Sequence, residues 1–331
     1  MVICYMHQRW CRMDERARAV LLGMAVGDAL GLPWEGLGPS GVRADQEGWR
    51  TFLGRGVVSD DTEHAYLTYR AWRASGGDLE RFRTELAGRL RWWFLALPPG
   101  IGLGTTRSLV KLCLGWSPAR SGSTSAGNGT VMRAPVLGVL VPEENLQAWV
   151  EVSSVITHRD ARAVEGAWVV AWLARLVRDG GTRRGALERV VADVEGDLLG
   201  RRLQEVLEAE GVATAELVAG WGLRGGVTGF VDDTVPAAVH LWLRHDELSE
   251  GVREAVRLGG DTDTVAAIVG GLIGASGGLP SGDDLAQLQD RPLSADVLGA
   301  GEVELPWGRS LIRNLALLPR IVWHLMVRRF G

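Results

Sequence analysis

Residues 259–275 read Gly-Gly-Asp-Thr-Asp-Thr-Val-Ala-Ala-Ile-Val-Gly-Gly-Leu-Ile-Gly-Ala, and no other stretch limits the fold as much. Hydroxyls and carboxylates stand where helix caps belong, and small apolar residues follow on one packed face. A helix this rich in alanine and glycine lets neighbouring backbone approach closely, so this end belongs deep in the protein. Buried together, Asp261 and Asp263 repel each other and lose hydration, so a cation or a proton has to compensate. A hard, oxygen-seeking ion such as Mg²⁺ or Mn²⁺ is the economical answer. Taken alone, the stretch is equally consistent with a doubly capped helix bearing two solvated aspartates.

A second cluster tips the balance. Val58-Ser59-Asp60-Asp61-Thr62-Glu63 also opens a helix, continued by Ala65, Leu67, Thr68, Ala71 and Trp72. Adjacent carboxylates diverge along a helix but can converge at its irregular first turn. Two such turns face to face would supply four carboxylates and several hydroxyls, which suits two divalent ions better than one. A third start, Phe230-Val231-Asp232-Asp233-Thr234-Val235-Pro236, echoes the second. There proline at a helix start makes capping the leading reading. No fixed period links the three.

Alternating runs are nearly absent and helical spacing is everywhere, so the chain reads as helical throughout. At 331 residues and 46% hydrophobic it can bury a large core. A net charge of −4 argues against a general nucleic-acid binder. Cys4, Cys11 and Cys113 have no metal-type spacing and cannot all pair within one chain, which suggests reduced thiols and a cytoplasmic protein. No apolar leader segment is evident, and either Met13 is the true start or residues 1–12 are a frayed extension. No run of about 18 apolar residues occurs, so no membrane insertion is expected.

Along the chain, a first helix spans 14–30, with Asp28 opposing the macrodipole near its end. Asp28 either holds the following loop by a hydrogen bond or stands near the ions. Glu35, in a loop framed by glycine and proline, is either an exposed acid or a carboxylate delivered to a pocket. After a glycine-rich loop at 36–57, helices follow at 60–75 and 79–96, the latter with Trp92, Trp93 and Phe94 read as core. A short helix at 105–115 precedes Ser121-Gly122-Ser123-Thr124-Ser125-Ala126-Gly127-Asn128-Gly129-Thr130-Val131-Met132-Arg133. Such a run exposes backbone N–H groups and can form an anion-binding concavity; for 121–126 a flexible surface loop is equally consistent. It is not a Walker loop. Helices at 143–157 and 160–179 flank His158, and 180–212 reads as a charged, solvated outer face. The tail carries Arg309, Arg313, Arg320, Arg328 and Arg329 without an acid after Glu304, and reads as a final basic amphipathic helix packed on the body.

Five stretches in this order resemble the ADP-ribosylglycohydrolase family. They are Gly27-Asp28-Ala29-Leu30-Gly31 with Glu35, Ser59-Asp60-Asp61-Thr62, Gly127 through Arg133, Thr157-His158, and Gly260-Asp261-Thr262-Asp263-Thr264. The resemblance implies an all-α, compact orthogonal bundle over 14–305, with a dinuclear Mg²⁺ or Mn²⁺ site in a central cleft. It implies hydrolysis at C1″ of ADP-ribose to free a modified acceptor, an arginine or serine side chain or a small molecule; the acidic balance of the chain weighs against a nucleic-acid acceptor without removing it. A non-catalytic ADP-ribose binder, or a different dinuclear hydrolase acting on a pyrophosphate or phosphoester, is the alternative. By analogy the ligands of two Mg²⁺ (or Mn²⁺) are Ser59, Asp60, Asp61, Asp261, Asp263 and Thr264. Serine at 59 replaces the family's usual threonine and keeps the hydroxyl. Glu35, Asp61 and Asp263 are similar to residues that manage the chemistry. Gly127, Asn128, Gly129, Thr130, Met132 and His158 are similar to those lining the ADP-ribose pocket.

Overall fold

A computed structural model describes residues 14–42, 56–194, 197–288 and 307–330 of the chain. Its first helix, α1 (Glu15–Gly31), begins where Asp14 accepts from the Arg16 and Ala17 N–H groups at 2.9 and 3.1 Å. The helix then runs through Gly27 and Asp28 to Gly31, and a short 3₁₀ turn at Leu32–Trp34 follows.

Among the described residues fifteen further helices follow, α2 to α16 in chain order. α2 is Asp60–Ser75, α3 Leu79–Leu95, α4 Leu103–Cys113 and α5 Pro118–Ser121. A 3₁₀ turn at Val131–Arg133 leads into α6 (Ala134–Leu140), then α7 (Glu143–Val155) and α8 (Ala161–Arg178). α9 is Arg183–Asp193, α10 Asp197–Glu208, α11 Thr214–Gly220, α12 Val231–Arg244, α13 Leu248–Arg257 and α14 Thr262–Ala275. The short α15 (Gly282–Gln287) and the long α16 (Trp307–Phe330) complete an all-α fold whose described residues form only isolated β-bridges.

The site is positioned by one helix crossing. Every residue of α14 is buried, and α1 lies antiparallel against it. A methyl group added at Gly23, Gly27 or Gly31 would come within 2.2, 2.1 and 2.4 Å of the carbonyl oxygens of Gly270, Ala266 and Thr262. Glycines four apart on α1 thus face positions four apart on α14, and the backbones touch. This contact brings the C-terminal turn of α1, with Asp28, to the N-terminal turn of α14, with Asp261 and Asp263. Gly23, Gly27 and Gly31 therefore serve close approach within the helix.

Other departures from the sequence reading have equally local reasons. α3 buries Phe82, Leu86, Ala87 and Leu90, and Trp92 lies most of the way round the helix from that row, so it is 60% exposed rather than core. α9 and α10 are amphipathic rather than solvated throughout, burying Ala186, Leu187, Val190, Leu199, Leu203 and Val206. Pro236 stands inside α12 rather than at its start. The Asp232 carbonyl it leaves without a helical donor receives Arg202 Nη1 at 2.7 Å. Residues 121–123 are buried: Ser123 N donates to Thr157 O at 3.0 Å, and Ser121 Oγ to Ile156 O at 2.8 Å. Residues 1–13, with Cys4 and Cys11, and 43–55 of the 36–57 loop lie outside the described residues; Cys113 is an exposed free thiol. No helix among the described residues is long and apolar enough to cross a membrane.

Candidate active site

α2 opens on Ser59, whose hydroxyl accepts from Asp61 N at 3.2 Å and donates to Asp61 Oδ2 at 3.2 Å. Across the gap, Thr264 Oγ1 donates to the same Asp61 oxygen at 3.1 Å, so the first turns of α2 and α14 meet. Asp28 ties α1 into this junction. Its carboxylate accepts from Ser59 N at 2.9 and 3.0 Å, from Thr62 N at 3.1 Å and from Thr62 Oγ1 at 2.6 Å. One carboxylate oxygen from each of Asp28, Asp61 and Asp263 lies within 4.8 Å of the others, and all three residues are buried.

A second group shares Asp263 and adds Asp261 and Glu35, again within 4.8 Å. Glu35 reaches this position because its loop is stitched to the start of α14. Gly36 N donates to Gly260 O at 2.7 Å, and Gly260 N to Leu37 O at 2.7 Å. Glu35 is the exposed member of its group and Asp263 the buried one. Asp60 belongs to neither triad but lies close enough to Asp28 and Glu35 to be perturbed by both charges.

Crowding of this kind shows in the acidities. Burial pushes the Asp28 carboxyl up to about 6, against the opposing hydrogen bonds from Thr62 and Ser59. Burial also drives Asp61 well above the ordinary range, with Asp28, Asp60 and Asp261 adding repulsion. Asp263 is raised likewise, by burial first and then by Glu35, Asp61, Asp261 and Asp28. Asp60 rises through burial, Asp28, Glu35 and Glu63.

A divalent cation fits this set. Asp61 Oδ1 is fully buried with no hydrogen-bond donor, an orphan that a metal would satisfy. Asp28, Asp261, Asp263, Ser59 and Thr264 add carboxylate and hydroxyl oxygens at the junction, the donor type that hard cations take.

The glycine loop adjoins the cluster. Asn128 Nδ2 donates to Asp261 Oδ2 at 2.7 Å and to Thr234 Oγ1 at 3.0 Å, while Asn128 N donates to Gly229 O at 2.9 Å. The Asn128 carbonyl accepts from Val131 N and Met132 N, whereas the N–H groups of Gly129 and Thr130 meet no acceptor among the described residues. Thr130 Oγ1 donates to Ala163 O at 2.9 Å, and Met132 is buried. Arg133 is fully buried behind the loop. Its guanidinium donates to Gly129 O at 2.6 Å, to Ser153 and to Thr157 Oγ1, and so braces the loop from within.

His158 is packed among glycines. A methyl at Gly104, Gly127 or Gly129 would come to 2.9, 3.4 or 2.7 Å of its ring. Burial and the Arg133 charge push its imidazole down to about 3 against the opposing pull of Asp160, so it is neutral near pH 7. A neutral imidazole is a hydrogen-bonding surface for a ligand, not a proton donor at that pH.

The ADP-ribosylglycohydrolase family model matches residues 11–301. The chain belongs to the ADP-ribosylglycohydrolase family. It is 32% identical over 279 residues to an uncharacterized protein of Archaeoglobus fulgidus, covering 80% of this chain and 88% of that one. It is 27% identical over 289 residues to the ADP-ribosyl-[dinitrogen reductase] glycohydrolase of Rhodospirillum rubrum, covering 82% and 89%. Among solved structures, an ADP-ribosylglycohydrolase-related protein complex superposes with a TM-score of 0.62 at 28% identity, over 91% of this chain and 98% of the other. The family is one of hydrolases that remove ADP-ribose from modified acceptors.

Asp28 is absent from the ligand set that the sequence implied. Asp28 stands in the buried triad while hydrogen-bonding the start of α2, not the loop that follows it. Its position against the α1 dipole was the available signal. Phe230, 56% exposed and paired by a β-bridge with Gly127, also borders the site, and no motif pointed to it.

Proposed function

We propose that the protein hydrolyses the C1″ glycosidic bond of ADP-ribosylated arginine or serine side chains and releases ADP-ribose, using two Mg²⁺ or Mn²⁺ ions. Asp28, Ser59, Asp60, Asp61, Asp261, Asp263 and Thr264 are the residues that would hold them. Cations held there supply Lewis acidity towards the sugar hydroxyls and water and offset the packed carboxylate charge.

The observation that carries this reading is the Asn128–Asp261 hydrogen bond of 2.7 Å. A ligand whose phosphates lie on the glycine loop has its ribose one residue from the acidic turn. The Gly129 and Thr130 N–H groups would receive a phosphate oxygen, and Gly127 leaves room for it beside His158. The neutral His158 ring would accept from or donate to a ribose hydroxyl. These contacts lie away from the reacting bond and would fix the ribose in place.

Cleavage at C1″ passes through an oxocarbenium-like state, which nearby carboxylates favour electrostatically. Asp61 and Asp263, from two helices, would face that position. Glu35, the exposed member of its triad, would take a proton from the attacking water or return one to the leaving acceptor.

The test is a panel of ADP-ribosylated arginine peptide, serine peptide and DNA end, with Mg²⁺ present or chelated, read as free ADP-ribose. Asp60→Ala and Asp263→Ala should abolish release, and Glu35→Ala should lower turnover more than affinity. Release of AMP instead, or full turnover in chelator, would refute the proposal.

A further inference from the structure

α16 lies beyond residue 301, where the family match ends. Its first half is docked on one side only. Asn314 is buried and donates to Ala96 O at 2.9 Å, Leu317 is buried, and Arg313 pairs with Glu63 of α2. On the opposite face Ile312 is 69%, Leu315 48% and Leu318 41% exposed.

Steps of three and four from Ile312 and Leu315 run through Ala316 and Pro319 to Trp323, Met326 and Phe330, all apolar. In the helical register of the sequence, Arg309, Arg320 and Arg329 fall beside that line, and no acid occurs between Trp307 and Gly331. Trp92 and Leu95, in the last turn of α3, are also exposed.

We propose that α16 is an interfacial helix that lays this face on an anionic lipid surface. A broad apolar face edged by arginine is the pattern that partitions into the headgroup boundary, with apolar burial and attraction to anionic lipid acting together. Two copies pairing α16 on α16 would bring basic flanks together with no acid in either helix to meet them. A nucleic acid would use the arginines but leave the apolar line in water. The helix does not span the bilayer; it rests on it, and the catalytic assignment does not depend on it.

The experiment is co-sedimentation of the full chain with vesicles of phosphatidylcholine alone or with about a third phosphatidylglycerol, at low and high salt. The full chain should sediment with the anionic vesicles, be largely released by salt and ignore pure phosphatidylcholine. Ile312→Glu/Leu315→Glu, two exposed positions whose change leaves the core intact, should weaken binding on the order of tenfold or more. Equal binding by that variant overturns the proposal, as does no sedimentation with either vesicle. A concentration-dependent dimer that the variant abolishes, without lipid binding, would assign the face to a second copy and likewise overturn it.

Discussion

Asn128 and Asp261 share a hydrogen bond of 2.7 Å across 133 residues of sequence, and the same amide reaches Thr234. A side chain on the glycine loop therefore sets the pose of a carboxylate in the acidic turn. Asn128→Ala should remove that restraint and lower kcat/KM about tenfold, whereas Asn128→Asp puts like charge against Asp261 and should cost on the order of a hundredfold. Steady-state release of ADP-ribose ranks the two, and equal losses would mean that the amide only fills space.

The buried acids predict an unusual pH dependence for metal-free protein. Asp28, raised to about 6, binds its proton more tightly folded than unfolded, and Asp60, Asp61 and Asp263 shift the same way. Between the unfolded value of 3.8 and these raised values the native state holds more protons, so stability falls as pH rises. The chelated protein should be most stable near the acid end of that window and weaken through pH 6 and above. Mg²⁺ or Mn²⁺ at 100 times its dissociation constant should restore about 2.7 kcal/mol per site near neutrality. Thermal melts across pH, with and without metal, read both effects.

Asp263 belongs to both carboxylate triads, so its removal should separate stability from function. Asp263→Asn relieves repulsion from Glu35, Asp61, Asp261 and Asp28 and should raise the melting temperature of chelated protein. The same variant should lose most metal-induced stabilisation and all turnover. A variant that melts lower without metal would show that Asp263 is needed for packing as well.

How much of this was legible from sequence depends on whether the cause was local. The helix starts at Asp60 and Thr262 are written in adjacent residues, and both were readable. The family resemblance added the order of the motifs. The partner of Asp28 was not readable, because Ser59 and Thr62 lie 31 and 34 residues away and meet it only through the α1–α14–α2 arrangement. Arg133 illustrates the converse. An arginine closing a glycine loop invites a phosphate, yet its donors turn inward to Gly129, Ser153 and Thr157, contacts that need α7 in place. Trp92 was misjudged because three consecutive aromatics cannot all face inward on one helix.

The α1–α14 crossing should be the least forgiving part of the structure. A Cβ on Gly27 would meet the Ala266 carbonyl oxygen at 2.1 Å, a contact with backbone that no side-chain rotation relieves. Gly27→Ala should force the helices apart, destabilise the protein by about 3 kcal/mol or more and separate Asp28 from Asp263. Gly88, on α3 with nothing near its would-be Cβ, is the control: Gly88→Ala should stabilise by up to about 1 kcal/mol. Urea titration of the pair tests whether helix approach or helix propensity dominates.

Arg313 links α16 to the same machinery from behind. It pairs with Glu63, which also accepts from Trp93 Nε1, and Arg313 Nη2 reaches Val58 O at 3.3 Å, one residue before Ser59. The pair is largely buried, with side chains 15% and 10% exposed, so removing only one partner leaves a charge in a poor environment. Arg313→Met should therefore destabilise by about 3 kcal/mol, and adding Glu63→Met should return much of it, because a buried ion pair replaced by matched apolar groups is often nearly neutral. Urea titration of both variants gives the coupling between the two sites. If the double variant is no more stable than the single one, the ion pair is not the dominant tie, and the Val58 contact or the Asn314–Ala96 bond holds the docked end of α16 instead.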